Sequence, residues 1–155
     1  AYNRRYFDIR INEEMSRYSR HGTIFSLSLI DIDHFKNVND TLGHQVGDLA
    51  LKELVTLIKE TVRDTDMVAR YGGEEFAIIS PYTPKAGVLT LVERLRDVVE
   101  KNAFTSLGRP LTISIGVADS AGKNAAEQII GEADSSLYIA KNSGRNICVI
   151  GGVTA

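Results

Sequence analysis

Two small acidic groups carry most of the chemical potential of this chain. Asp31 and Asp33 close an apolar run, and Glu74 and Glu75 directly follow the pair Gly72-Gly73. Carboxylates brought together repel one another unless a proton or a cation relieves them. Hard oxygen donors with few neutral partners suit Mg2+, which is commonly held by one or two carboxylates plus the phosphates of a substrate. Glycines just before the acids would let a ligand approach the backbone closely. Spacing alone leaves a plainer reading open, in which Asp31 and Asp33 cap a helix and the glutamates are surface charge.

The elements that must position these acids follow from the residue pattern. A polar helix is predicted over 2–18, stopped by His21-Gly22. Residues 24–30 alternate as a strand, with Phe25, Leu27 and Leu29 set against Ser26 and Ser28. Asp33 is the expected cap of a short helix through Asp40, 41–47 the expected loop, and Asp48 the expected start of a long amphipathic helix. That helix has an apolar stripe of Leu51, Leu54, Val55, Ile58 and Val62. Two short strands, 67–71 and 75–80, flank Gly72-Gly73, which reads as a two-residue hairpin loop using the positive φ that glycine tolerates. Thr83-Pro84 precedes a helix with the stripe Val88, Leu91, Val92, Leu95 and Val99. A strand over 111–117, two short helices over 125–130 and 133–142, and a last strand over 146–150 complete the chain. This order predicts an α+β fold of the palm-like split βαβ kind. It has a βαββαβ core, a mainly antiparallel central sheet flanked by helices, and an added C-terminal strand.

Composition narrows the classes further. With 155 residues, 43% apolar and 25% charged, the chain reads as one domain with an ordinary core. A formal net charge of −2 gives no bulk attraction to nucleic acid or to anionic lipid. The single cysteine, Cys148, fits a reducing, cytoplasmic setting and reads as a buried thiol within a strand. No apolar run approaches the roughly 20 residues that span a bilayer. The abrupt helical start suggests a piece of a longer protein.

Six segments, in order, give these residues a family. Arg70-Tyr71-Gly72-Gly73-Glu74-Glu75-Phe76 resembles the GG[D/E]EF signature of the GGDEF family, the catalytic domain of diguanylate cyclases. Asn3-Arg4-Arg5-Tyr6-Phe7 resembles its opening N-R-R-x-F segment. Asp31 to Asp40 resembles D-x-D-x-F-K-x-x-N-D, and Gly43-His44-Gln45-Val46-Gly47-Asp48 resembles G-H-x-x-G-D. Ser114 to Ala118 is similar to S-I-G-V-A, and Ala133 to Asn146 to A-D-x-x-L-Y-x-A-K-x-x-G-R-N. The family's usual D-x-L-T lies upstream of the asparagine and arginines, where this chain begins at Ala1-Tyr2.

The resemblance implies a reaction and its residues. Two GTP molecules would condense into cyclic di-GMP with release of two pyrophosphates, in an antiparallel homodimer holding one GTP per chain. Mg2+, with Mn2+ a plausible substitute, would be held by the side chains of Asp31 and Glu74 and by the carbonyl of Ile32. Glu74 would also be the proton acceptor, with Glu75 and Asp31 completing the catalytic acids. Asn39 and Asp48 would recognise guanine, whose edge offers donors beside an acceptor. Phe35 and Lys36 would meet phosphate at a helix N-terminus, and Lys141 and Arg145 would add charge for the triphosphate. His44 would shape the binding loop, and Gly72 and Gly73 would admit the substrate. Arg63 and Asp66 match the R-x-x-D product-inhibition site, with Arg94 as a weaker candidate for its second arm; an arginine at a helix end would look the same in sequence.

The resemblance also implies an N-terminal sensory or receiver domain, and a cytoplasmic domain with no direct membrane contact of its own, although the parent protein could be anchored. The alternatives are a sensor module that binds cyclic di-GMP or GTP without turnover, and a palm-type cyclase acting on a single nucleotide.

Overall fold

A computed structural model of the chain describes residues 1–151 and the backbone of 153 and 154. Of the domain predicted over 1–155, positions 152 and 155 lie outside the described residues. In order, the elements are α1 (Arg4–His21), β1 (Ser26–Ile32), α2 (Phe35–Leu42), α3 (His44–Thr61), β2 (Met67–Arg70), β3 (Glu75–Ser80), α4 (Lys85–Lys101), β4 (Ile113–Asp119), α5 (Ala126–Asn142), β5 (Cys148–Ile150) and β6 (Val153–Thr154). The strands form one sheet in the order β2-β3-β1-β4-β5-β6. Every pairing is antiparallel except that of β4 with β5. The predicted α+β palm-like order is therefore present, with β5 as the added strand and β6 beyond it.

Helices cover both faces of the sheet. Ile30 and Ile32 of β1 join a cluster with Val38 of α2, Leu54 of α3 and Val92 of α4. Leu27 and Leu29, one residue out of phase, join a second cluster with Phe7 and Ile11 of α1 and Leu137 of α5. The alternation of β1 thus does not mark a half-wet strand. All seven residues are buried, and Ser26 is satisfied by donating from Oγ to the carbonyl of Thr83 at 2.6 Å. Central position in the sheet, which a single strand's pattern does not encode, sets this burial.

Several local expectations are corrected. Asp48 does not open α3; that helix starts at His44, immediately after Gly43, whose φ is positive at 91°. Asp33 does not cap α2, whose N-cap is His34 with φ 57°. The two helices expected over 125–142 are one, since nothing between Ile130 and Ala133 breaks the ladder of α5. The glycine turn is longer than two residues: β2 ends at Arg70, β3 begins at Glu75, and neither glycine has positive φ. The N–H groups of Tyr71 and Gly72 both donate to the carbonyl of Glu75, at 2.8 and 3.2 Å. Gly72 is instead packed against Glu75: a Cβ there would lie 2.8 Å from Oε2, the movable end of that side chain.

Candidate active site at the end of the central strand

The register of the sheet brings the two acidic groups together. Asp31 pairs across the antiparallel ladder with Glu75, and the backbone N–H of Ile32 donates to the carbonyl of Glu74 at 3.4 Å. Directly opposed residues on antiparallel strands place their Cβ atoms about 5 Å apart, so Asp31 and Glu75 share one face. Lys141, from the last turn of α5, forms an ion pair with Asp31.

Electrostatics records this crowding. Burial pushes the carboxyl of Asp31 above its ordinary pKa, although Lys141 pulls it down. Glu74 is raised by burial and by the charge of Asp31, and Glu75 is raised for the same two reasons. Lys141 is raised despite its burial, because Asp31, Glu75 and Glu74 all favour the ammonium form. The site holds an excess of anionic oxygen, with Lys141 ion-paired to Asp31 and Arg145 acting on it from farther away.

A cavity of about 460 Å3 opens beside Glu74. Seven of the sequence-nominated residues line it: Phe35, Lys36, Asn39, His44, Asp48, Gly73 and Glu74. The ring of Phe35 is buried in the core at 4% exposure; as the first residue of α2 Phe35 also supplies an N–H with no partner inside the helix. Asn39 lies against α3 because Gly47 has no side chain: a Cβ there would fall 2.0 Å from Oδ1 of Asn39. This close approach is the physical content of the spacing between Asn39, Gly47 and Asp48. Lys141, Arg145, Asp31, Ile32 and Gly72 do not line the cavity; Lys141 and Arg145 act on Asp31 from the end of α5 and the turn after it.

Sequence reasoning missed three lining residues, Asp40, Leu51 and Arg70. Leu51 was assigned only to the apolar stripe of α3, yet part of that stripe floors the cavity. It also missed the bracing of the glycine turn. Arg70 donates from Nε to the carbonyl of Gly72 at 3.3 Å and from Nη2 to that of Gly73. Arg4 donates to the carbonyl of Tyr71 at 3.2 Å and stacks over its ring, 3.8 Å from the centroid. Three successive carbonyls are thus held by two guanidinium groups. The signal was available in the N-R-R and R-Y-G-G segments.

The nominated second site also assembles. Arg63 donates from Nε and Nη2 to the Asp66 carboxylate at 3.3 and 3.1 Å, and from Nη2 to Oγ1 of Thr83 at 2.8 Å. The Arg63 side chain remains 50% exposed while that of Asp66 is fully buried. Both line a cavity of about 450 Å3 with Lys59 and Asp64. Arg94 does not line it; its Nη2 donates to the carbonyl of Thr61 at 3.0 Å, in the last turn of α3.

The donor set fits a small hard divalent cation. Among the described residues no three side chains of His, Cys, Asp or Glu form a ready-made cage. Two carboxylates and a carbonyl, with the remaining positions left to water and phosphate, are the arrangement that Mg2+ prefers.

The fold is a palm-like α+β domain with an acidic cluster beside a cavity, and comparison with known proteins narrows that class. A family model described as "Diguanylate cyclase, GGDEF domain" matches residues 1–147. The chain belongs to the GGDEF domain family. It is 42% identical over 153 residues to the response regulator PleD of Caulobacter vibrioides, covering 96% of this chain and 34% of PleD. It is 38% identical over 146 residues to the diguanylate cyclase DgcP of Pseudomonas aeruginosa, covering 93% of this chain and 22% of that protein. The chain thus spans about a third or less of these relatives. Among solved structures, the active GGEEF domain of a diguanylate cyclase from Vibrio cholerae matches with a TM-score of 0.91 and 32% identity, covering 96% of both chains. The GGDEF domain of DgcB from Caulobacter crescentus, solved with c-di-GMP, matches with 0.88 and 34%, covering 96% of this chain and 90% of that one.

Proposed function

We propose that this domain is a diguanylate cyclase. It condenses two GTP into cyclic di-GMP and releases two pyrophosphates, as an antiparallel homodimer in which each chain contributes one GTP. The observation that supports this most directly is the pairing of Asp31 with Glu75, which sets Glu74 at the edge of a cavity shared with Asn39 and Asp48.

The chemistry follows from the residues. The Asp48 carboxylate accepts from the N–H donors of the guanine edge, the Asn39 amide can donate as well as accept, and the pair orients the nucleotide. The N-terminus of α2 at Phe35 and Lys36 receives phosphate oxygens. Lys141 and Arg145 balance the negative charge of the triphosphate. Asp31, Glu74 and the Ile32 carbonyl would hold Mg2+, which when bound would neutralise phosphate charge and ease ionisation of the attacking hydroxyl. The 3′-oxygen of one GTP forms a bond to the α-phosphorus of the other, the bond to pyrophosphate breaks, and the hydroxyl proton passes to Glu74. The second half-reaction repeats this with the roles exchanged. A product with two-fold symmetry suits a two-fold dimer, because one chain offers one guanine cavity.

Arg63 and Asp66 form the product-inhibition site, with Arg94 bracing α3 next to it. The domain is the output unit of a longer protein carrying an N-terminal sensory or receiver domain, a reading supported by the name and greater length of PleD. It works in the cytoplasm, where GTP is available. Among the described residues no helix is long and apolar enough to cross a membrane.

One observation favours a second reading. Lys141 already neutralises Asp31, as suits a sensor module that binds nucleotide without turnover. Product analysis separates the two: the protein at high concentration is incubated with GTP and MgCl2 and the products are analysed by mass spectrometry. Cyclic di-GMP with pyrophosphate is the expected outcome. Unconsumed GTP supports the sensor, and a cyclic mononucleotide supports a single-nucleotide cyclase.

A further inference from the structure

Asp33 was expected to cap a helix, and the structure uses it differently. The residue is 5% exposed, and its carboxylate accepts from three donors on two other segments. Thr112 donates from Oγ1 to Oδ2 at 2.7 Å, Ser114 from Oγ to Oδ1 at 2.6 Å, and the backbone N–H of Asn146 to Oδ2 at 2.9 Å. Its own N–H donates to the carbonyl of Thr112 at 2.9 Å. A buried carboxylate given three donors is a fixed anchor, since losing it would leave those donors unpaired in a poorly solvated place.

What it anchors is an unfavourable backbone. Gly144, Arg145 and Asn146 all have positive φ, at 101°, 64° and 49°. Glycine accepts such angles, but arginine does so only where its surroundings over-determine it. Those surroundings are visible on each side of Arg145. Its N–H donates to the carbonyl of Ala140 at 3.1 Å, tying it to the end of α5. The next residue is held by Asp33 through its N–H, and by α4 through its side chain, which accepts from Arg96 at 3.0 Å and donates to Glu100. The Arg145 side chain itself is exposed and close enough for its charge to act on Asp31.

We propose that Asp33 is a positioning residue for Arg145: it fixes the left-handed turn that presents the guanidinium to the polyphosphate end of the substrate, and takes no part at the guanine end. This rests on the reading of Arg145 as a triphosphate-binding group. The end of β1 then controls both cations of that subsite, Lys141 directly through Asp31 and Arg145 indirectly through Asp33.

A double-mutant cycle tests it without requiring turnover. Inorganic tripolyphosphate and guanosine are titrated separately, in MgCl2, into wild type, Asp33→Asn, Arg145→Ala and the double variant, and binding is followed by calorimetry. Asparagine keeps the shape of Asp33 but cannot accept from all three donors. Asp33→Asn is expected to weaken tripolyphosphate binding by about tenfold, with guanosine binding unchanged and no further loss in the Arg145→Ala background. Equal tripolyphosphate binding by wild type and Asp33→Asn, full additivity of the two changes, or a matching loss for guanosine overturns the positioning role. If Asp33→Asn does not fold, Ser114→Ala replaces it by removing one donor; a loss of about threefold confined to tripolyphosphate is expected, and wild-type binding refutes the idea. Wild type that binds no tripolyphosphate sinks the phosphate assignment beneath it, an outcome distinct from failure of the cycle.

Discussion

Asp31 of β1 and Glu75 of β3 face each other across an antiparallel ladder, so the strand register holds two carboxyl groups together whether or not a ligand is bound. The following residue, Ile32, is tied to the carbonyl of Glu74. Ordering the acids therefore costs the substrate complex little, because the sheet has already done it. What remains adjustable is the charge between them, which Lys141 now supplies in part.

Glu74 is both a metal-holding carboxylate and the proton acceptor in the proposed reaction. Glu74→Gln keeps the shape and removes the charge. It should lower turnover of GTP by on the order of a thousandfold while leaving the circular dichroism spectrum and the melting temperature near those of wild type. Turnover within a few-fold of wild type would remove Glu74 from both roles.

Mg2+ and protons should compete for the acidic cluster. Asp31, Glu74 and Glu75 all have raised pKa values in the folded protein. The folded state therefore binds their protons more tightly than the unfolded state does. Without metal, the contribution of the cluster to stability is lost as pH rises from the ordinary carboxylate range through the raised one. A divalent cation bound to the ionised groups reverses that loss. Thermal melts with and without MgCl2 should show stabilisation at about pH 7 that shrinks as the pH falls to about 5. A melting temperature indifferent to Mg2+ at neutral pH would argue against the metal assignment.

Arg63→Ala should relieve inhibition by cyclic di-GMP, read as a rightward shift of at least tenfold in the inhibition curve. Because Asp66 is fully buried and loses its guanidinium partner, the variant should also be destabilised by about 1–3 kcal/mol. The backbone N–H of Arg63 still donates to Asp66 at 2.9 Å, which keeps the fold. An unchanged inhibition curve would show that product acts elsewhere.

Gly116 of β4 is the position where the sheet and α5 approach most closely among the glycines. A Cβ there would lie 2.2 Å from the carbonyl oxygen of Ala133 and 2.3 Å from the nitrogen of Leu137. Both are backbone atoms, so no rotamer change relieves the clash. Gly116→Ala should cost about 1–3 kcal/mol or more by chemical denaturation, and it should weaken activity through displacement of Lys141 on the same helix. Wild-type stability in this variant would mean that α5 can lift from the sheet freely.

Local chemistry made the motifs, the element order and the paired acids legible from the amino-acid order alone. Asn39, Asp48 and Glu74 sit at fixed intervals around Gly47 and Gly72-Gly73, and at Gly47 a side chain would collide with Asn39, so type and spacing carried the information. Leu51, Arg70 and Arg4 escaped notice because their roles depend on neighbours distant in sequence: an apolar stripe does not say which of its members floors a cavity. Asp33 was misread for a related reason. An aspartate at a strand end suits a helix cap equally well until β4 and the turn after α5 arrive with three donors.

One distinction was left to the packing. The chain order places Glu74 and Glu75 side by side, but Glu74 belongs to the turn while Glu75 opens β3 opposite Asp31. Only the packed sheet, with α2 and α3 on one side and α1 and α5 on the other, decided that Glu74 lines the cavity with Asn39 and Asp48 while Glu75 joins Asp31. Which residues could do chemistry was thus a property of the sequence. Which of them meet was settled by strand register and by the helices that close each face.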